Sequence, residues 1–149
     1  MLFQRVNRSS PERVFIIGYN SSSATWSNGY WVRWDYSTDV NGVGMETPAA
    51  DGAVGVGCGV SIAGVVAQTI AAGAYGLVQV YGYHSAARVI GGASDLAAGC
   101  ALTNINNDYS MAPILVTGTN ANCYPVGFSF EAYTLSGTST TKKVFIKCL

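Results

Sequence analysis

In the middle of the sequence stands Tyr75-Gly76-Leu77-Val78-Gln79-Val80-Tyr81-Gly82-Tyr83, nine residues with a period of two. Val78 and Val80 share one face, which predicts a strand that turns its valines into a core. The opposite face carries large residues without formal charge, which is typical of a protein interface. We therefore expect another polypeptide to contact three of these residues, namely Tyr75, Gln79 and Tyr81.

The same alternation recurs on both sides of this run, and helical periodicity is hard to find. Residues 14–19 are apolar on both faces, which predicts a strand buried on both sides. Residues 30–36 alternate aromatic residues and predict a half-buried strand. Residues 54–62 place valines on one face and glycines on the other, so that a neighbour can approach the backbone closely. Further strands are predicted over residues 111–116, 126–134 and 143–149.

Turn signals separate these strands. Asn41-Gly42 is typical of a hairpin. Ile70-Ala71-Ala72-Gly73-Ala74 is echoed by Leu96-Ala97-Ala98-Gly99-Cys100, and both predict a tight connection in which an apolar residue plugs the core and glycine turns the chain. Short strands without helical interludes predict one all-β domain of the sandwich or barrel-like kind.

The composition excludes several classes of protein. Of 149 residues, 49% are apolar and eight Lys/Arg balance eight Asp/Glu. Such a chain can offset its ordering entropy by burial, so it is not disordered, and it lacks the basic surplus of a nucleic-acid binder. Residues 52–87 are free of charge, but glycines interrupt them, and we expect no membrane span. With only 11% charged residues, part of the surface is expected to lie against another protein.

The sequence carries no catalytic or metal-binding signature. His84 is the sole histidine, no motif surrounds it, and a structural or surface position is expected in place of a catalytic one. The four cysteines form no CxxC pair, so no metal or cofactor is predicted. Cys58 and Cys148 are expected to be buried thiols, whereas Cys100 and Cys123 could pair under oxidising conditions. We expect no enzyme.

An aromatic cluster at residues 26–36 leaves two alternatives open. Its rings could form a platform on which carbohydrate stacks. Alternatively, Trp34 fills the core while Trp31 covers an edge or a subunit contact. Because alternation divides the rings between two faces, we favour the second interpretation.

The ends of the chain are basic. Arg5, Arg8 and Arg13 outweigh Glu12, and three lysines lie in the last eight residues. Basic ends would help the protein to dock on an acidic neighbour. We expect residues 1–12 to form an extended arm that becomes ordered on a neighbour, with Arg5, Asn7 and Arg8 in contact, and residues 13–149 to form the domain. The first thirteen residues lack the apolar stretch of a secretory signal, so a product that is cytosolic when made is expected.

Several of these segments together resemble the small all-β decoration (cement, or head-stabilisation) proteins of tailed phages. The resemblance is carried, in order, by Pro11–Phe15, Trp31–Asp35, Ile70–Gly82, Ala97–Gly99 and Lys142–Leu149. It implies a β-tulip-like domain, without catalytic residues or cofactor, that binds the outside of the expanded head. It further implies a homotrimer that clamps neighbouring major capsid subunits. The competing hypothesis is a carbohydrate- or receptor-binding β module on a virion tail or fibre.

Overall fold

The computed structural model describes residues 12–39, 42–48, 61–91, 95–105, 108–114, 124–134 and 137–149. These residues contain no helix and nine strands, which are β1 (Arg13–Asn20), β2 (Trp31–Trp34), β3 (Gly44–Glu46), β4 (Ile62–Val66), β5 (Tyr75–Val89), β6 (Ala101–Asn104), β7 (Met111–Pro113), β8 (Gly127–Ser129) and β9 (Thr140–Lys147). The predicted all-β class is confirmed. The predicted strand over residues 54–62 and the arm over residues 1–12 lie almost wholly outside the described residues. The part of the chain that the structure describes includes no helix that could cross a bilayer.

The sheet closes on itself twice. Its strand order is β1-β3-β2-β4-β5-β7-β6-β8-β9, and β5 also pairs with both β1 and β9. The first ring therefore consists of β1, β3, β2, β4 and β5, and the second ring of β5, β7, β6, β8 and β9. The strand that the alternation at residues 75–83 predicts is longer than expected, with 15 residues, because its second half belongs to the second ring.

Each ring encloses its own core. The first core is formed by Trp26, Val32, Met45, Ala63, Val66, Ile70 and Val78. The second core takes residues from both rings: Trp31, Ile62, Val65, Ala87, Val89, Leu96, Leu102, Met111, Val126, Val144 and Ile146. The outer face of β2 and β4 is thus the wall against which the second ring packs. These two strands bury side chains on both faces, and the half-buried strand predicted for residues 30–36 is wrong in this respect.

Strand β1 shows the opposite error. Residues 14–19 are apolar on both faces, yet only one face is covered. Ile16 packs against the first core, and Gly18 lies where a side chain would meet the sulfur of Met45. Phe15 and Ile17 point outward and are exposed, because the second ring does not reach this part of the sheet.

The two related turn sequences build the same corner twice. Ile70 exchanges backbone hydrogen bonds with Trp26, and Leu96 does so with Tyr133. Gly73 and Gly99 follow in the left-handed region, with φ of 71° and 82°. Ile70 and Leu96 are both buried. The prediction that an apolar residue plugs a core and glycine turns the chain is confirmed.

A bulge marks the point where β5 passes from one ring to the other. Val14 pairs with Tyr81 and Phe15 with Gln79, which leaves Val80 as the extra residue on β5. Beyond it, Gly82 has a φ of 98°, and a Cβ there would lie 1.9 Å from the carbonyl oxygen of Glu12. Both the conformation and the close approach require glycine.

Three glycine-to-alanine variants separate these two requirements. We expect Gly82→Ala to lower the free energy of unfolding by more than about 2 kcal/mol, because it adds a backbone clash to the cost of a left-handed alanine. Gly99→Ala carries the left-handed cost alone, about 1 kcal/mol, since nothing lies within 4 Å of its Cβ position. Gly137, with open space around its Cβ position and a φ outside the left-handed region, is the matched control. Urea denaturation measures all three, and equal losses for Gly82→Ala and Gly99→Ala would contradict the assignment.

Candidate interaction surface

Five outward side chains form an apolar strip on the first ring, which we call the β1–β5 face. The register pairs Ile17 with Leu77 and Tyr19 with Tyr75, and places Phe15 beside them on β1. Ile17 and Tyr75 are 66% and 65% exposed, and Phe15 and Leu77 are each 41% exposed. The rings of Tyr19 and Tyr75 lie 5.0 Å apart. None of the five side chains carries a formal charge, and adjacent exposed residues of this size make the face a candidate contact site.

A second group of side chains lies on the outer face of the second ring, with Phe128 and Phe130 exposed and the other three half-buried. Its five rings, which we call the aromatic cluster, are Tyr81, Tyr83, Phe128, Phe130 and Phe145. Phe145 stacks on Phe128 at 5.2 Å and meets Tyr81 edge-on at 5.2 Å. Phe130 contacts both Phe128 and Tyr83, at 5.2 and 5.9 Å. The cluster is a connected layer of offset and edge-to-face rings, an arrangement that aromatic side chains favour.

Basic residues border the aromatic cluster. Lys143 and Lys147 lie on the same face of β9 as Phe145, two residues before and after it. The guanidinium of Arg13 lies 5.8 Å from the centre of the Tyr83 ring. Glu131 binds the ammonium of Lys143 at 3.2 Å and accepts its backbone N–H at 2.9 Å. The Lys143 backbone hydrogen bond is the largest of the causes that lower the pKa of the Glu131 carboxyl.

The structure places the predicted contact residues in different surroundings. Tyr75 is exposed on the β1–β5 face, whereas Tyr81 is half-buried in the aromatic cluster, beyond the bulge that shifts the register of β5. That either residue contacts another polypeptide stays a prediction. Trp31 and Gln79 do not lie at the surface, and the expectation of a surface contact is wrong for both. Arg5, Asn7 and Arg8 lie outside the described residues.

Trp31 and Gln79 are buried for the same reason, which is the second ring. Trp31 enters the second core, and its indole N–H donates to the carbonyl of Arg88 at 3.0 Å. Gln79 pairs with Val65 of β4, and its side-chain amide donates hydrogen bonds to the carbonyls of Tyr81 and Tyr83. The amide thereby satisfies backbone groups beside the β5 bulge.

The aromatic residues at 26–36 do not form one platform. Trp26 and Trp31 are buried in different cores, and Tyr30 stacks on Tyr109 at 4.4 Å. Trp34, expected to fill the core, only packs against its margin. Tyr36 is exposed, with Arg33 over its ring. This arrangement favours the structural interpretation of the cluster over the carbohydrate platform.

The aromatic cluster on the second ring escaped the sequence analysis. Phe128 lies on β8 and Phe130 directly follows that strand, and Phe145 stands between two lysines, each two residues away. Each pattern is a signal of an outward aromatic residue. Only the pairing of β8 with β9, which sets Phe128 opposite Phe145, shows that they form one surface.

A cavity of about 180 Å³, which we call the seam cavity, opens where β1 passes the junction of the two rings. It is lined by Arg13, Phe15, Asn28, Ala67, Gln79, His84 and Ser85. Phe15 belongs both to this lining and to the β1–β5 face, so the cavity lies at the end of that face. Sequence analysis missed the cavity because its residues come from separate strands and loops.

His84 lines the seam cavity. Its Nδ1 accepts the backbone N–H of Ala86 at 3.2 Å, so a neutral ring carries its proton on Nε2. Burial, and then the positive charge of Arg13, lower the pKa of His84 to about 4. The imidazole is neutral at pH 7 and can donate a hydrogen bond there. The described residues include no group of three possible metal ligands.

Asp35 also has a structural setting. Its carboxylate accepts hydrogen bonds from Ser21, Ser37 and Thr38, which close the turn after β2. The Thr38 hydroxyl is the largest cause that lowers its pKa to about 2. Cys100 and Cys148 are free thiols that pack against the second core, and burial raises the pKa of Cys148 to about 12. Neither group is arranged for catalysis.

The doubly closed β-sheet with one long shared strand is an all-β architecture, and a solved structure has a related fold. The chain is similar to the N base of the head fibre protein gp8.5 of bacteriophage phi29, with a TM-score of 0.50 and 18% identity, over 92% of this chain and 96% of that one. No family model matches the sequence, and no curated protein matches it.

The buried histidine predicts a dependence of stability on pH. An ordinary histidine has a pKa of 6.5 and His84 of about 4, so between these values the unfolded chain binds a proton that the folded chain does not. The free energy of unfolding therefore falls as pH falls from 6.5 toward 4 and gains nothing from His84 above 6.5. Urea denaturation of His84→Gln should show a flatter slope between pH 6.5 and 5 than the unchanged protein, whatever its stability at pH 7. Equal slopes would contradict the assignment.

Proposed function

We propose that this protein is a structural component of a phage virion that binds the outer surface of the expanded head and clamps neighbouring major capsid subunits. The observation that supports this most is the β1–β5 face, a strip of five large side chains without formal charge, four of which are exposed on a closed β-domain. Its composition suits a protein contact better than a site for a small molecule. The related fold of a phage head fibre base supports a place on the head.

The physical reason for such a protein is mechanical. Packaged DNA presses outward and pulls coat subunits apart, so a clamp must touch more than one of them. A rigid domain with two separate apolar surfaces, the β1–β5 face and the aromatic cluster, can contact two neighbours at once. Two modest contacts on one rigid body reinforce each other through effective concentration. Catalysis, a cofactor, nucleic-acid binding and membrane binding are not part of the proposal.

We further propose a homotrimer on the outer capsid surface, assembled after synthesis in the host cytoplasm. One of the two apolar surfaces can then join copies of the chain while the other meets the coat. Static light scattering of the purified protein should give a mass about three times the 15.6 kDa of one chain. A concentration-independent monomer would contradict the trimer and would leave the coat contact as a separate question.

Matched tyrosine variants test the coat contact. Tyr75 and Tyr124 are 65% and 66% exposed, but only Tyr75 lies on the β1–β5 face. We expect Tyr75→Ser to weaken co-sedimentation with expanded empty heads about tenfold, since an aromatic anchor contributes more than about 1 kcal/mol. Tyr124→Ser should bind as the unchanged protein does. Equal binding by both variants would contradict a role for this face, and lack of saturable binding by the unchanged protein would contradict the proposed function.

The second candidate is a carbohydrate- or receptor-binding module on a tail or fibre. The exposed rings of Phe128 and Phe130 are the observation in its favour, because sugar faces stack on aromatic rings. Substituting both by Ser should then abolish glycan binding while leaving head binding intact. If this double variant loses binding to heads as well, the aromatic cluster belongs to the coat contact instead.

A further inference from the structure

The seam cavity has an unusual balance of polar groups. Arg13, Asn28, His84 and Ser85 all bring hydrogen-bond donors to its lining, and none of its seven lining residues carries a carboxylate. The amide of Gln79 is already committed to two backbone carbonyls. The remaining donors include one permanent positive charge, that of the Arg13 guanidinium. Such a lining is complementary to an anion.

The donors are held in place by the fold. His84 is buried, and its Nδ1 contact with Ala86 directs the Nε2 proton away from that backbone bond. Arg13 is exposed at the start of β1, and its guanidinium lies 5.8 Å from the centre of the Tyr83 ring. A guanidinium and an imidazole N–H that line the same cavity can bind two oxygens of one group.

The charged neighbour of His84 is basic, and its other neighbours in the cavity are neutral. On β1 the charged neighbour is Arg13, and on β9 the paired residue is Val144. Lys143 and Lys147 lie on the other face of β9 from Val144. Among the described residues that line the cavity, none carries a carboxylate, so the lining itself does not offset the positive charge of Arg13.

The geometry points to a carboxylate as the ligand of the seam cavity, an acidic side chain of the polypeptide that covers the β1–β5 face. The identity of this occupant rests on the proposed function, whereas the anion site does not. Phe15 connects the two: a partner strand or loop that packs on Phe15 and Ile17 has its next side chains at the mouth of the cavity. At about 180 Å³ the cavity can hold a carboxylate, given that a water takes roughly 30 Å³ of liquid volume.

The sole histidine provides the measurement. NMR of the intact protein follows the His84 imidazole resonance while sodium acetate replaces sodium chloride at constant ionic strength. At pH 7, where acetate is ionised and His84 is neutral, we expect acetate to shift this resonance saturably, because a bound anion accepts a hydrogen bond from the imidazole and offsets the charge of Arg13. Arg13→Gln should abolish the response. Lys147→Gln loses the same charge outside the cavity and should retain it.

Two outcomes of this titration would overturn the anion site: no saturable shift with acetate, or the same shift in Arg13→Gln. Inorganic phosphate is the second probe. A response to phosphate without a response to acetate would show that the ligand is not a carboxylate.

Co-sedimentation with expanded heads separates the occupant from the function. Arg13→Gln should bind heads more weakly than Lys147→Gln, by about tenfold. If acetate binding is lost in Arg13→Gln but head binding is not, the carboxylate does not come from the head, and that part of the inference fails. If the unchanged protein binds acetate but not heads, the proposed function fails while the anion site stands.

Discussion

The fold depends on one strand that pairs with partners from both rings. Strand β5 pairs with β1 and β4 in its first half and with β9 and β7 in its second half, and every other described strand is arranged around it. Where β5 passes from the first ring to the second, the bulge at Val80 shifts its register and Gly82 takes a left-handed conformation. These two local features allow one strand to belong to both rings.

Burial in the molecule follows from how the rings meet. The second ring packs on the outside of β2 and β4 but leaves the outside of β1 and the start of β5 uncovered. The outer face of the first ring therefore has a covered part, which includes Trp31 and Val65, and an exposed part, which includes Ile17 and Tyr75. The seam cavity lies on the boundary between the two. Core, contact surface and polar cavity are consequences of a single packing arrangement.

Period-two alternation was enough to predict the strands and the all-β class, because it reports which side chains share a face. It correctly placed Tyr75 outward and Val78 inward. Alternation does not show which face of a strand another ring will cover. The prediction therefore put Trp34 in the core and Trp31 at an edge or contact, and it left Gln79 at the surface. The repeated IAAGA and LAAGC corners were predictable, since glycine and a plugging apolar residue act locally. The aromatic cluster and the seam cavity were not, because each joins residues from strands that are distant in sequence.

Closure of the rings also governs how copies can associate. In a ring, each of the nine described strands has a neighbour on either side, so none of them is a whole edge strand. Addition of a further strand along a full edge is therefore disfavoured for these strands. Association of copies is then expected to use side chains on the outer faces of the rings.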